Sequence, residues 1–133
     1  CSNGTFLTQL LKKYKIDFVV LAGYLKLIPS LLIKNYERRI INIHPALLPF
    51  YGGFGMYGMK VHEAVKAAGE TQTGITIHFV NEKFDEGEII FQATTSLVDT
   101  DTPDSIADKV HKLEYEYFPK IIEDVILSCQ EFL

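Results

Sequence analysis

The sequence of 133 residues has little cysteine, no long uninterrupted apolar run and no excess of positive charge. Its two cysteines, Cys1 and Cys129, form no Cys-x-x-Cys pair, which excludes a disulfide scaffold and a structural zinc site. The longest apolar stretch, residues 18–33, is interrupted by glycine, lysine and proline, whereas a membrane span needs about 20 mostly apolar residues. No basic segment followed by an apolar core opens the given sequence, so we expect no secretory signal. These absences are typical of a protein of the reducing cytoplasm.

The formal net charge of −4 is distributed unevenly along the chain. Residues 1–40 contain seven basic and two acidic side chains, whereas residues 41–133 contain six basic and fifteen acidic ones. A nucleic-acid-binding domain normally carries a dense basic stripe and a positive total charge. We therefore expect no nucleic acid and no membrane among the partners of this chain.

Length and hydrophobic periodicity predict one domain of the α/β class. Apolar residues make up 47% of the chain, which is enough for one core, and 133 residues are too few for two domains. The patterns predict helices over 5–14, 29–36 and 59–68, strands over 16–23, 39–43, 73–80 and 88–96, and a last helix that begins at Thr102 and kinks or restarts at Pro119. The first two strands form a parallel βαβ unit and the last two an antiparallel hairpin. The predicted fold is a mostly parallel open sheet with helices on both faces and a C-terminal antiparallel hairpin.

A glycine-rich segment, residues 53–58, matches the dinucleotide-binding pattern G-x-G-x-x-G. That pattern binds a dinucleotide only where the first glycine closely follows a strand and the last one opens a helix. Here a segment with two prolines, Pro45 and Pro49, separates the glycines from the preceding strand. We interpret these glycines as parts of a loop near a site.

Asn42 and His44 are the strongest candidate site residues on pattern alone. They close the second strand with Ile43 between them, so their side chains point to the same face. Pro45 keeps His44 extended, and ligands of open α/β sheets bind at the carboxyl ends of strands. An amide donor beside an imidazole can stabilise an oxyanion and supply a proton. A capped strand with a structural histidine is the alternative.

Four ordered segments carry a resemblance to one enzyme family. They are LAGYLKLIPS at 21–30, NIHPALLPFYGG at 42–53, TGITIHFVNEKFDEG at 73–87 and HKLEYEYFP at 111–119. In this order and spacing they resemble the glycinamide ribonucleotide transformylases, which belong to the formyltransferases that use 10-formyltetrahydrofolate. The resemblance implies a cytoplasmic enzyme of purine biosynthesis. Its implied reaction moves a formyl group from that folate, its co-substrate, to the amine of glycinamide ribonucleotide without a metal.

The resemblance also implies a role for individual positions. The implied catalytic residues are Asn42, His44 and Asp85. The implied folate-binding residues are Leu25, Lys26, Leu27, Ile28, Asn42, Asn81, Glu82, Lys83, Phe84 and Asp85. The implied ribonucleotide-binding residues are Pro45, His111, Lys112, Leu113 and Glu114. Outside these sets, His62 is interpreted as a surface or peripheral residue and His78 as a structural one.

The sequence departs from the family pattern at its start and in one loop. The family's first strand and its glycine-rich phosphate-binding turn are not recognisable before residue 17. We therefore expect residues 1–133 to be the later two-thirds of a single formyltransferase domain, and to catalyse poorly as an isolated piece. Phe50 and Phe54 stand where members with a similar loop often carry lysine. This change argues against an anion contact there, or indicates an apolar contact with another chain.

Other functions are compatible with the same candidate residues. A methionyl-tRNA formyltransferase and a formyltetrahydrofolate hydrolase share the asparagine, histidine and aspartate trio. The His44-Pro45 pair and the position of Glu114 favour the ribonucleotide enzyme. A non-catalytic folate-binding module is the alternative from another class of protein. The oligomeric state, monomer or homodimer, is left open.

Overall fold

The structure, a computed structural model, describes residues 4–22, 27–82 and 87–130 of the chain. The elements in chain order are α1 (Thr5–Lys13), β1 (Val19–Ala22), α2 (Ser30–Asn35), β2 (Ile40–His44), α3 (Met59–Ala67), β3 (Gln72–Phe79), β4 (Ile89–Ser96) and α4 (Pro103–Gln130). Each predicted element is present, with bounds that differ from the prediction by at most three residues. The predicted α/β class is confirmed. None of the helices within the described ranges is long and apolar enough to cross a membrane.

The four described strands form one open sheet in the order β1-β2-β3-β4. β1 pairs with β2 in parallel, with Val19 opposite Ile40 and Ala22 opposite Ile43. β3 runs antiparallel to both β2 and β4. The sheet of the described residues is therefore mixed rather than mostly parallel, because the connection over 45–71 returns the chain in the opposite direction. The predicted βαβ unit and hairpin are both confirmed.

The two faces of the sheet carry separate apolar clusters. One cluster joins Ile41 and Ile43 of β2 to side chains of α3 and α4, among them Val65 and Val110. The other cluster contains Ile40 of β2 and the side chains Ile28, Leu32, Tyr36, Leu11, Val19 and Leu21. Because successive strand residues point to opposite faces, helices cover both sides of β2. Asn42 and His44 share the face of Ile40, on the side of α1 and α2.

The start of α4 is held by reciprocal hydrogen bonds. The Ser105 N–H donates to Thr102 Oγ1 over 3.1 Å, and the Thr102 N–H donates to Ser105 Oγ over 2.8 Å. This arrangement is a capping box, and it confirms the predicted helix start. Just before it, Asp101 Oδ2 accepts from Lys109 Nζ over 2.7 Å and from the Val98 N–H over 2.8 Å. These bonds lower the pKa of Asp101 to about 2, and the bond from Lys109 has the largest effect.

The sequence predicted a kink or a restart of the last helix at Pro119, and the restart is absent, because α4 is continuous from Pro103 to Gln130. Proline removes the N–H that would bond the carbonyl four residues earlier, at Tyr115. Tyr115 is 80% exposed, so water can reach that part of the helix. Tyr117 and Ile121, on either side of the proline, both pack against the apolar cluster under α4. Packing on both sides keeps the helix continuous.

Candidate active site

Asn42 and His44 lie at the carboxyl end of β2, on one face of the sheet, as predicted. Asn42 is paired with His78 of β3, and His44 is paired with Thr76. Asn42 is half-buried and His44 is buried. The end of β1 lies beside them, since Ala22 pairs with Ile43. The strand ends therefore hold an amide and an imidazole at the same edge of the sheet.

The Asn42 amide is oriented by His78, which is buried. His78 Nδ1 lies 3.0 Å from the carbonyl oxygen of Phe79, and its Nε2 lies 3.3 Å from Asn42 Nδ2. A carbonyl oxygen only accepts, so Nδ1 carries the proton and Nε2 accepts from the Asn42 amide. His78 has the structural role that the sequence predicted, and its contact is with a candidate catalytic residue.

Gly87 lies directly against the same histidine. A Cβ atom at this position would come within 1.6 Å of the Phe79 carbonyl oxygen and 3.4 Å of His78 Nδ1. Only glycine therefore lets the chain approach β3 so closely. Gly87 follows Asp85 by two residues in the sequence. Asp85 itself lies outside the described residues.

Thr76 fastens the loop that follows His44 to β3 and β4. Its Oγ1 accepts from the Leu48 N–H over 3.0 Å and donates to the Ala46 carbonyl over 2.7 Å. Gln92 of β4 donates through Nε2 to Thr76 Oγ1 over 2.9 Å and to the Leu48 carbonyl over 3.0 Å. Thr76 was not among the predicted site residues, and its one signal in the sequence is its place between two apolar residues of an alternating strand.

We expect Thr76→Val to lower the free energy of unfolding by about 1–3 kcal/mol, because the Leu48 N–H and the Ala46 carbonyl would stay buried without their partner. Thr73→Val is the matched control in the same strand. The Thr73 hydroxyl is also buried but has no hydrogen-bond partner among the described residues, so its replacement should leave stability unchanged or raise it. Urea unfolding of both variants measures the difference. Equal losses in the two variants would contradict the role of Thr76.

His62 of α3 is influenced by charges on both β2 and α4. It is buried, and its Nδ1 has no hydrogen-bond partner within the described part of the chain. Burial lowers the pKa of His62, and the charges of His111 and His44 lower it further. The interpretation of His62 as a surface or peripheral residue is therefore wrong. Its spacing of three residues from Val65, on the apolar face of α3, is the signal that could have identified its burial.

The implied ribonucleotide-binding residues lie directly after β2 and on α4. Pro45 follows His44 directly and is half-buried, while Lys112 is exposed. His111 Nδ1 lies 3.3 Å from Glu114 Oε1, one helical turn along α4. Leu113 packs against the apolar cluster beneath the helix. The charges of His44 and of His111 both lower the pKa of His62.

The implied folate-binding residues are only partly described. Ile28 is buried in the cluster with Leu32 and Tyr36, and Leu27 beside it is exposed. Asn81 and Glu82 are exposed and follow Val80, whose N–H bonds the Ile40 carbonyl at the start of β2. They thus leave the sheet at the end of β2 opposite to His44. Four more residues of this set lie outside the described residues, as does Asp85: Leu25, Lys26, Lys83 and Phe84.

The loop over 45–58 is irregular, as its prolines and glycines predicted. Gly53, Gly55 and Gly58 all have positive φ angles. Phe50 is 70% exposed and Phe54 is 91% exposed. Within the described ranges, no group of three or more His, Cys, Asp or Glu side chains is arranged to hold a metal ion.

The fold, with Asn42 and His44 on one face at the end of β2, agrees with the family that the chain matches. Residues 5–122 match the formyl transferase family, and the chain belongs to it. A phosphoribosylglycinamide formyltransferase named as chloroplastic, from Arabidopsis thaliana, is 50% identical over 125 residues, covering 94% of this chain and 42% of that protein. The Bacillus subtilis phosphoribosylglycinamide formyltransferase is 37% identical over 116 residues, covering 87% of this chain and 57% of that protein.

A solved structure gives the same result for the fold. The crystal structure of phosphoribosylglycinamide formyltransferase from Bacillus halodurans superposes with a TM-score of 0.83 at 38% identity, covering 91% of this chain and 60% of that one. The chain therefore spans roughly half the length of the relatives that it matches. The expected fold of the formyltransferase type is confirmed.

Proposed function

We propose that the chain carries out the formyl transfer implied by its sequence, from 10-formyltetrahydrofolate to the amine of glycinamide ribonucleotide, in purine biosynthesis. The observation that supports this function best is the placement of Asn42 and His44 on one face at the carboxyl end of β2. Membership of the formyl transferase family supports a formyl-folate as the donor. The names of the relatives support the ribonucleotide as the acceptor.

The chemistry needs a group that stabilises a developing negative oxygen. The amine nitrogen attacks the formyl carbon, and the carbonyl oxygen becomes an oxyanion in a tetrahedral intermediate. The intermediate then loses the bond to folate N10, which takes up a proton as it leaves, while the attacking nitrogen loses one. In the proposal, the Asn42 amide and a protonated His44 donate to the oxyanion, and no metal takes part.

The amide of Asn42 is well prepared for this role. His78 Nε2 accepts one of its two amide hydrogens, which fixes the plane of the amide relative to β2. Asn42 thus needs little reorganisation when the oxyanion forms, and such preorganised donors contribute most to catalysis. We propose that Asp85, which precedes Gly87 by two residues, assists His44 and the removal of the amine proton.

We propose that the two substrates occupy separate parts of the surface around β2. The folate contacts residues 25–28, Asn42 and residues 81–85. The ribonucleotide contacts Pro45 and residues 111–114, where Glu114 accepts from the attacking amine. The packing of Ile28 and Leu113 in the two apolar clusters supports fixed positions for these two residues. We further propose that the chain works in the cytoplasm, as a monomer or a homodimer.

A direct assay tests the proposed reaction. The chain is incubated with 10-formyltetrahydrofolate and with glycinamide ribonucleotide at millimolar concentration. Mass spectrometry then follows the formylated ribonucleotide, and a separate assay follows formate. Formylated product that depends on the chain supports the proposal. Formate released equally with and without the acceptor would support hydrolysis instead, and folate binding without either product would support a binding module.

The role of Glu114 predicts a specific loss of acceptor binding. We expect Glu114→Ala to raise the KM for the ribonucleotide by about 10–100-fold, because a charge-assisted hydrogen bond to the amine is lost. The KM for the folate should not change. Glu116→Ala is the matched control, since Glu116 is exposed on the same helix two residues away. A similar KM in both variants would contradict the role assigned to Glu114.

A further inference from the structure

Tyr51, in the loop after β2, has a backbone conformation that is uncommon for its residue type. Its φ angle is +60°, in the left-handed region. For a residue with a Cβ atom this region costs roughly 1–2 kcal/mol. Such a conformation persists only where the surroundings hold it, and it is often found at functional sites. Tyr51 is held through its backbone, through its hydroxyl group and by packing of its side chain against the apolar cluster of β2, α3 and α4.

The backbone contact of Tyr51 is with His44. His44 Nε2 lies 2.6 Å from the Tyr51 carbonyl oxygen. The carbonyl can only accept, so this bond requires the proton of the ring to be on Nε2. The direction of that carbonyl, which depends on the backbone conformation of Tyr51, therefore determines both the orientation and the tautomer of the imidazole.

The side-chain contact of Tyr51 is with Glu70, just beyond α3. The phenol donates to Glu70 Oε1 over 2.7 Å. This bond to a carboxylate raises the pKa of Tyr51. Burial and the negative charge of Glu70 raise it further, by smaller amounts. A phenol is protonated at neutral pH in any case, so Tyr51 is the donor in this bond.

Glu70 is itself held at the end of α3. The Gly69 N–H bonds the Lys66 carbonyl over 3.0 Å, and the Glu70 N–H bonds the Val65 carbonyl over 3.4 Å. This pair of bonds is a Schellman motif, with Gly69 in the left-handed conformation at a φ of +69°. Val65 is buried in the apolar cluster beneath α3. A continuous series of contacts thus runs from the core through Glu70 and Tyr51 to His44.

We propose that the hydrogen bond between Tyr51 and Glu70 is a positioning device for His44. It holds Tyr51 in the left-handed conformation, so that the Tyr51 carbonyl stays on His44 Nε2 and orients the imidazole. Tyr51 and Glu70 do not touch the reacting atoms in this role. The catalytic consequence rests on the proposed function, whereas the orientation of His44 is testable without it.

The first test is the tautomer of His44, read from ¹⁵N chemical shifts of the imidazole in the 133-residue chain above pH 8. We expect the Nε2–H tautomer to dominate in the unmodified chain. In Tyr51→Phe and in Glu70→Ala the shifts of His44 should move toward a mixture of the two tautomers. In the double variant they should move no further than in either single one, since both changes remove the same bond.

A matched control in the same loop is Tyr57→Phe. The Tyr57 hydroxyl accepts from Lys60 Nζ of α3 over 3.3 Å. Its removal should leave the shifts of His44 unchanged. Unaltered shifts in Tyr51→Phe, with urea unfolding showing that the variant is folded, would overturn the proposal. Equal changes in Tyr57→Phe would also overturn it.

The second test is kinetic. Tyr51→Phe should lower kcat about fivefold with little change in the KM of either substrate, as expected for the loss of about 1 kcal/mol of positioning. Glu70→Gln keeps an acceptor oxygen and should restore most of the rate that Glu70→Ala loses. Altered shifts of His44 in a chain without transferase activity would support the positioning device and refute the proposed function. Transfer activity in a chain whose His44 shifts are unaltered by the substitutions would support the proposed function and refute the positioning device.

Discussion

Replacing His44 with alanine is expected to lower the rate of formyl transfer by about 10²–10³, the loss typical of removing one donor to an oxyanion. His44 lies at the end of β2 with its Nε2 on the Tyr51 carbonyl, so its orientation is set before substrate binds. When the ring is protonated, its other nitrogen, Nδ1, can donate to the oxyanion, and the substitution removes this donor from the intermediate and not from the bound folate. We therefore expect kcat to fall while the affinity for the folate stays close to that of the unmodified chain.

The experiment for His44 needs a check on folding, because the side chain is only 3% exposed and its truncation leaves a cavity. Circular dichroism and a urea midpoint of the variant give this check. Asn35→Ala is the activity control. The Asn35 amide donates to the Leu31 carbonyl within α2, away from the strand ends, so its loss should leave kcat unchanged. A folded His44→Ala chain that keeps most of its rate would refute the proposed mechanism.

The elements of this fold were largely readable from the sequence, because each has a local signal. The alternation in 73–80 and the run in 88–96 predicted the hairpin of β3 and β4, and Thr102 with Pro103 predicted the start of α4. The direction of strands that pair across long connections has no such signal. The antiparallel pairing of β2 with β3 was therefore missed, and the sheet was expected to be mostly parallel.

The site was predicted in part, for a similar reason. Alternation along β2 was enough to place Asn42 and His44 on one face. The partners that orient them, His78 and the Tyr51 carbonyl, are set by tertiary contacts across 36 and seven positions of sequence. Nothing in the residue type of Tyr51 indicates a left-handed backbone. The roles of Asp85 and Glu114 follow from resemblance alone and stay predictions.

Pro119 and His62 are two residues whose type alone does not indicate the observed structure. A proline can restart a helix, but α4 continues through Pro119, where packing on both sides outweighs one missing hydrogen bond. A histidine on a surface helix predicts exposure, but His62 lies at the border of the apolar face of α3 and is buried. In both cases the tertiary packing of the helix determines the outcome, and the residue's own propensity does not.

Gly74→Ala is expected to lower the free energy of unfolding by about 3 kcal/mol or more, which is a large share of the roughly 5–15 kcal/mol that stabilises a domain. Gly74 lies in β3 opposite Thr94 of β4. A Cβ atom there would come within 1.9 Å of the Ala93 carbonyl oxygen and 2.8 Å of Leu47 Cδ2. Leu47 can adjust, but the carbonyl is part of the neighbouring strand.

The clash at Gly74 can be relieved only by separating β3 from β4, whose hydrogen-bonded spacing is about 4.8 Å. That movement would also disturb Thr76 and Gln92, which fasten the loop after His44. Gly55→Ala is the control for glycine replacement itself. Gly55 has a φ of +84° but no atom within 4 Å of the added Cβ, so its variant should lose only about 1–2 kcal/mol. Urea unfolding compares the two variants, and a loss at Gly74 no greater than that at Gly55 would show that the strands can separate at little cost.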